Sequence, residues 1–65
     1  MIKISLKDAE TFSSDKAIEL RALLLSDNFM KKEDLFRTTD TGEKIAFGER
    51  WVAKGRPTII IEYKG

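Results

Sequence analysis

The sequence predicts a small α+β domain, one main helix packed on an antiparallel-rich sheet, in the order β-α-β-β-β. Three observations carry this. Ile2, Ile4 and Leu6 alternate with Lys3, Ser5 and Lys7. Residues 14–26, SDKAIELRALLLS, are the densest apolar run in the chain and consist largely of good helix formers. From Leu35 onward, short β-prone runs are separated by turn residues, Asp40-Thr41-Gly42 and Lys54-Gly55.

The first strand is expected over residues 1–7, because strict alternation is the signature of a half-buried strand. Residues 8–13 are polar and form a connector. Ser13 or Ser14 followed by Asp15 is an N-terminal helix signal. On a helical wheel Ala17, Ile18, Leu20, Ala22, Leu23, Leu24 and Leu25 cover well over half the circumference, and Arg21 lies inside that arc. Only Lys16 and Glu19 mark a wet side, so packing on a sheet along one flank leaves apolar surface over. The helix is expected to end at Ser26-Asp27-Asn28, where Asn28 accepts a left-handed conformation. A competing reading runs one helix on to Phe36, with Ile18, Ala22, Leu25, Phe29 and Phe36 at heptad spacing, but Lys32 interrupts that seam.

Residues 29–34 read either as a helical turn or as the lead into a strand. A strand follows at Leu35-Phe36-Arg37-Thr38-Thr39, then a turn at residues 40–43 with Gly42 at positive φ, then a returning strand at residues 44–47. The apolar parity of Ile45 and Phe47 falters at Gly48, which marks a bulge or bend. Residues 50–53 resume the strand, Lys54-Gly55 turns, and Pro57 takes the first position of a last strand over residues 58–63. Ile59, Ile61 and Tyr63 share one face of that strand, and its three adjacent isoleucines suit a central position, apolar on both sides.

Sixty-five residues make one domain spanning residues 1–65, of ordinary globular composition at 42% hydrophobic and 35% charged. Chains this small bury only about 60% of their unfolded surface and lean on disulfides, metals or a partner chain. With no Cys and no His, the disulfide and the common zinc options fall away and the partner is what is left. The start MIKISLKD is not a signal peptide, and nothing approaches the roughly 18 apolar residues of a membrane span. A soluble, cytoplasmic protein that engages no membrane is the expectation.

Chemistry is not indicated. General acid–base work most often uses His, which is absent, and no base stands out to activate a Ser or Thr. The carboxylate pairs Glu33-Asp34 and Asp8 with Glu10 lack the dense spacing of a calcium loop, so they read as solvated surface rather than as a metal site. The glycines never cluster into a phosphate-cradling loop. The chain is therefore expected to be non-enzymatic, without cofactor, metal or small-molecule substrate.

Two binding readings are left. The preferred one is an accessory, inhibitory or regulatory domain that docks on another protein through an apolar and aromatic face. Ala22, Leu23, Phe36, Trp51, Ile60 and Tyr63 are its candidate contacts, because exposed apolar patches mark interfaces and aromatic residues dominate their hot spots. A homodimer fits it too, pairing helices through Ala22 and Leu23 or joining edge strands. Its bland counterpart is a monomer in which residues 29–36 and the loops fold over these gaps. The alternative is a nucleic-acid module, with Trp51 stacking on a base and Lys44, Arg50, Lys54 and Arg56 on phosphates. Net charge is only +1, however, and Glu43, Glu49 and Glu62 thin the basic tilt of the C-terminal third, where charge should dominate such binding.

Overall fold

A computed structural model of the chain describes residues 1–6 and 12–63. The expected connector at residues 8–11, the Asp8/Glu10 pair, and Lys64 of the basic tail lie outside the described residues. The element order is β1 (Ile2–Leu6), α1 (Asp15–Ser26), β2 (Met30–Thr38), β3 (Lys44–Val52) and β4 (Ile59–Tyr63). The four strands form one mixed sheet in the order β1-β4-β3-β2. The β1–β4 pair is parallel, and β4–β3 and β3–β2 are antiparallel.

The helix begins where a side chain can replace a missing backbone partner. Ser14 is extended (φ −64°, ψ 152°), and its hydroxyl accepts from the Ala17 N–H at 3.3 Å. The helix stops at Ser26. Asn28 takes φ 66°, and the Phe29 N–H donates back to the Leu24 carbonyl at 2.9 Å, which turns the chain into β2. This excludes one helix continuing to Phe36, and it settles residues 29–34 as strand from Met30 onward. The expected strand start at Leu35 is thus five residues late. Lys31, Lys32, Glu33 and Asp34 hide the strand from a pattern search because β2 is an edge, where charge is tolerated and protective.

Two irregularities bend the β2–β3 hairpin. Leu35 pairs with Gly48 and Phe36 with Ala46, so Phe47 is the extra residue, next to the predicted Gly48. Lys31 pairs with Trp51 and Glu33 with Arg50, so Lys32 is a second extra residue, on β2. Gly48 itself is fixed by proximity. A Cβ there would stand 2.5 Å from the Ile61 carbonyl oxygen on β4, closer than any side chain can sit. Beyond the bulge the hairpin turns through Gly42 at φ 86°, closed by the Thr39 N–H donating to the Glu43 carbonyl at 2.8 Å. Pro57 precedes β4 instead of opening it, since the strand begins at Ile59.

Ile59, Ile61 and Tyr63 share one face and β4 lies between β1 and β3, as expected, and that face lies under the helix. They pack with Ala17, Leu24, Phe29 and Trp51 into one core, flanked by Ile4, Leu6, Phe12 and Leu20. On the other face Ile60 was expected to lack a cover, yet it is buried. It stands between Lys3 and Arg50 in register, and these long side chains are held by ion pairs to Glu62 (2.8 Å) and Glu33 (3.3 Å). Aliphatic stems in adjoining columns of a sheet can screen an isoleucine between them. No helix among the described residues is long and apolar enough to cross a membrane.

Candidate functional site

The helix and β3 meet over a buried polar cluster. Glu49 follows Gly48 in β3 and shares the inward face with Trp51, two residues on, so the pleat carries its carboxylate into the core, where it is only 1% exposed. Arg21, on the inward arc of α1, reaches it from above. Its Nε donates to both carboxylate oxygens (3.2 and 3.1 Å) and its Nη2 donates to Oε2 at 2.6 Å. Trp51 Nε1 donates to Oε1 at 2.9 Å, and the Tyr63 hydroxyl donates to Oε2 at 2.9 Å. Arg21 Nη2 also donates to the Tyr63 oxygen at 2.9 Å, and the Phe12 ring lies against Tyr63 with centroids 4.2 Å apart. Among the described residues no buried polar side-chain atom lacks a partner.

Burial alone would push the Glu49 carboxyl up, but the hydrogen bonds from Arg21, Trp51 and Tyr63 outweigh it and hold the group below its ordinary 4.5. The Arg21 guanidinium is raised, chiefly by its hydrogen bond to Glu49 and against the opposing effect of burial. Tyr63 is pushed up to about 12, first by burial and then by its bond to Glu49. The carboxylate is thus held ionised and fully engaged, an arrangement that fixes the helix to the sheet.

The tyrosine gives a prediction. Its folded value lies above its ordinary 10.0, so its contribution to stability is complete below pH 10 and is lost as the pH climbs towards 12. Unfolding free energy should fall by about 1.4 kcal/mol per pH unit across that window, with tyrosinate absorbance rising together with the loss of fold. Tyrosinate appearing at pH 10 in a fully folded chain would contradict the burial of this hydroxyl.

Of the predicted interface residues, the structure leaves Ala22, Leu23 and Phe36 on the surface and moves the others inside. Trp51 and Tyr63 belong to the core and to the Glu49 cluster, and Ile60 is buried on the opposite face of the sheet. The expectation that Trp51 and Tyr63 serve as exposed anchors is therefore corrected. The inward parity shared by residues 49 and 51, and by 59, 61 and 63, takes their side chains under the helix. The surface instead shows Ile18, Leu23 and Leu25, each more than half exposed on α1, with Leu23 at 67%. Glu19, Ala22, Leu23 and Ser26 line one shallow depression there. A second groove, between the start of the helix and the hairpin, is lined by Phe12, Arg21, Lys31, Asp34, Phe36, Ala46 and Glu49.

The nucleic-acid residues are scattered. Lys44 starts β3 and Lys54 follows its end, a separation of about 26 Å or more for a strand that rises about 3.3 Å per residue. Arg50 is paired with Glu33, and Arg56 with Asp27 while its guanidinium lies over Phe29. Trp51, the intended stacking platform, is 3% exposed. Among the described residues no group of three or more acidic side chains could hold a metal ion.

Sequence reasoning missed Glu49 as a structural centre. A signal for it existed: Arg21 on an apolar helical arc and Glu49 in phase with Trp51 are opposite charges, each on a face that should be dry. No family model matches the chain, no curated protein resembles it closely enough to match, and no solved structure matches its fold.

Proposed function

We propose that this chain is a non-catalytic docking domain, accessory, inhibitory or regulatory in role, whose working surface is the outer side of α1. The observation that supports this is the set of large aliphatic side chains the fold leaves outside: Ile18, Leu23 and Leu25, beside Ala22. Exposed aliphatic surface of this kind favours association, because its removal from water is worth about 25 cal/mol per Å². Glu19 and Ser26 line the depression with Ala22 and Leu23 and supply polar contacts that set orientation. The partner is a protein offering an apolar groove or helix face.

The test compares the wild type with a Leu23→Asp/Leu25→Asp variant as bait in lysate of the source cell, with and without nuclease. Both positions are exposed, and two aspartates in the last turn of α1 should cost about 1–3 kcal/mol through helix propensity and the helix dipole, so circular dichroism establishes that the variant bait is folded. Proteins retained by the wild type after nuclease treatment and lost by at least tenfold with the variant are the expected outcome. Capture that is identical for both baits, or that vanishes with nuclease, removes this reading. The latter result would favour nucleic acid as the partner.

A further inference from the structure

β2 ends the sheet, and no strand among the described residues pairs with its outer side. From Phe29 to Phe36 the chain reads Phe-Met-Lys-Lys-Glu-Asp-Leu-Phe, two apolar residues, two positive, two negative and two apolar. Reversed, the same order presents the complementary charge at every charged position. We infer that the β2 edge is a docking site for a second copy of this chain, paired antiparallel about a two-fold axis that passes between Lys32 and Glu33. Lys32 then stands opposite the partner's Glu33, Lys31 opposite the partner's Asp34, and Met30 opposite the partner's Leu35.

The bulge at Lys32 makes this register feasible. Antiparallel neighbours must point to the same face of a sheet, and in a regular strand adjacent residues such as 32 and 33 point to opposite faces. Here they do not. Glu33 is bonded to Arg50, and Lys32 borders the same shallow depression as Arg50, Val52 and Thr58, on the side away from the helix. Lys31 and Asp34 are bonded to each other at 3.1 Å and line the groove with Arg21 and Glu49, on the helix side. Met30 pairs with Val52 and Leu35 with Gly48, which returns both to the side away from the helix. Each pair across the axis therefore shares a face.

Charges on an edge ordinarily repel a neighbouring strand. In this order they favour one register: it sets four opposite pairs across the axis, a shift of one residue keeps only two and adds Lys32 against Lys32 or Glu33 against Glu33, and a shift of two leaves like pairs alone. The charges select the register. Backbone hydrogen bonds along the edge and cover for Met30, which is 70% exposed, supply the attraction. Two four-stranded sheets become one of eight, with both helices on the same face. This goes beyond the docking reading and is independent of it, because the outer side of α1 takes no part.

Sedimentation of four chains tests the proposal: wild type, Lys31→Glu/Lys32→Glu, Glu33→Lys/Asp34→Lys, and the chain carrying all four changes. All four side chains are exposed, and circular dichroism establishes that each variant is folded. The wild type should sediment at twice the chain mass of 7.4 kDa. Each half-reversed chain should dissociate at least a hundredfold more readily. The fully reversed chain, whose net charge equals that of the wild type, should regain the dimer. A wild type that stays monomeric at millimolar concentration, half-reversed chains that dimerise like the wild type, or a fully reversed chain that stays monomeric would each overturn it.

Discussion

Arg21→Met should cost about 3–5 kcal/mol, because it leaves a carboxylate that is 1% exposed without its cation. A domain of this length is stable by roughly 3–10 kcal/mol in all, so the variant should be close to unfolding at room temperature. Glu49→Gln is expected to be milder, at about 1–3 kcal/mol. A glutamine still offers an acceptor to Trp51 Nε1, and Arg21 keeps a quarter of its side-chain surface in water, so its charge is not stranded. The two variants also differ in pH dependence. In the wild type the Glu49 value lies below 4.5, so its contribution is present above that pH and fades as the pH falls. Without Arg21 burial dominates and the folded value rises above the unfolded one, so the deficit of Arg21→Met should shrink on going from pH 7 to pH 4. Urea unfolding at these two pH values decides the matter. Equal, pH-independent losses for both variants would show that Glu49 is not held as a buried charge.

Trp51→Ala should be comparably severe, at about 3–5 kcal/mol, since it empties a large volume between α1 and the sheet. It also takes one of three donors from Glu49, so volume and hydrogen bond are lost together. Trp51→Phe separates them. A phenyl ring keeps most of the contact area but has no N–H, and the expected loss is about 1–2 kcal/mol. Thermal unfolding followed by far-ultraviolet circular dichroism gives both values. A Trp51→Ala chain within 1 kcal/mol of the wild type would place this indole outside the core.

Much of the architecture could be read from the residues, and the reasons are specific. Alternation in Ile2, Ile4 and Leu6 is a period-2 pattern with one dry face, and the triple isoleucine of β4 is a short β-branched run, set off by Gly55 and Pro57, that suits a strand dry on both faces. The helix announced itself through Ser14, Ala17 and the leucines, and its end through Asn28. The start of β2 was not legible, because four charged residues on an edge strand carry no alternation to detect. Nor was the polar cluster, which depends on a contact between α1 and β3 spanning 28 positions of the chain. Local pattern measures the hydropathy of a face and says little about which ion meets which across it. The same limit explains Trp51 and Tyr63. An aromatic residue in a basic context looks available until the phase of its strand is known, and for Trp51 the bulge at Phe47 shifts that phase in a way composition does not reveal.

The hairpin outgrows the sheet that carries it. Among the described residues β4 is bonded to β3 only from Gly48 to Trp51, so residues 44–47 and the end of β2 that faces them form a ribbon two strands wide with no third strand beside it. Local opening is least costly where the fewest contacts must break. Amide protons in this overhang should therefore exchange with solvent well before those of Glu49 and Ile61, and the tip can flex about the bulge while the Glu49 anchorage stays shut. The molecule combines a stiff body with one pliant arm.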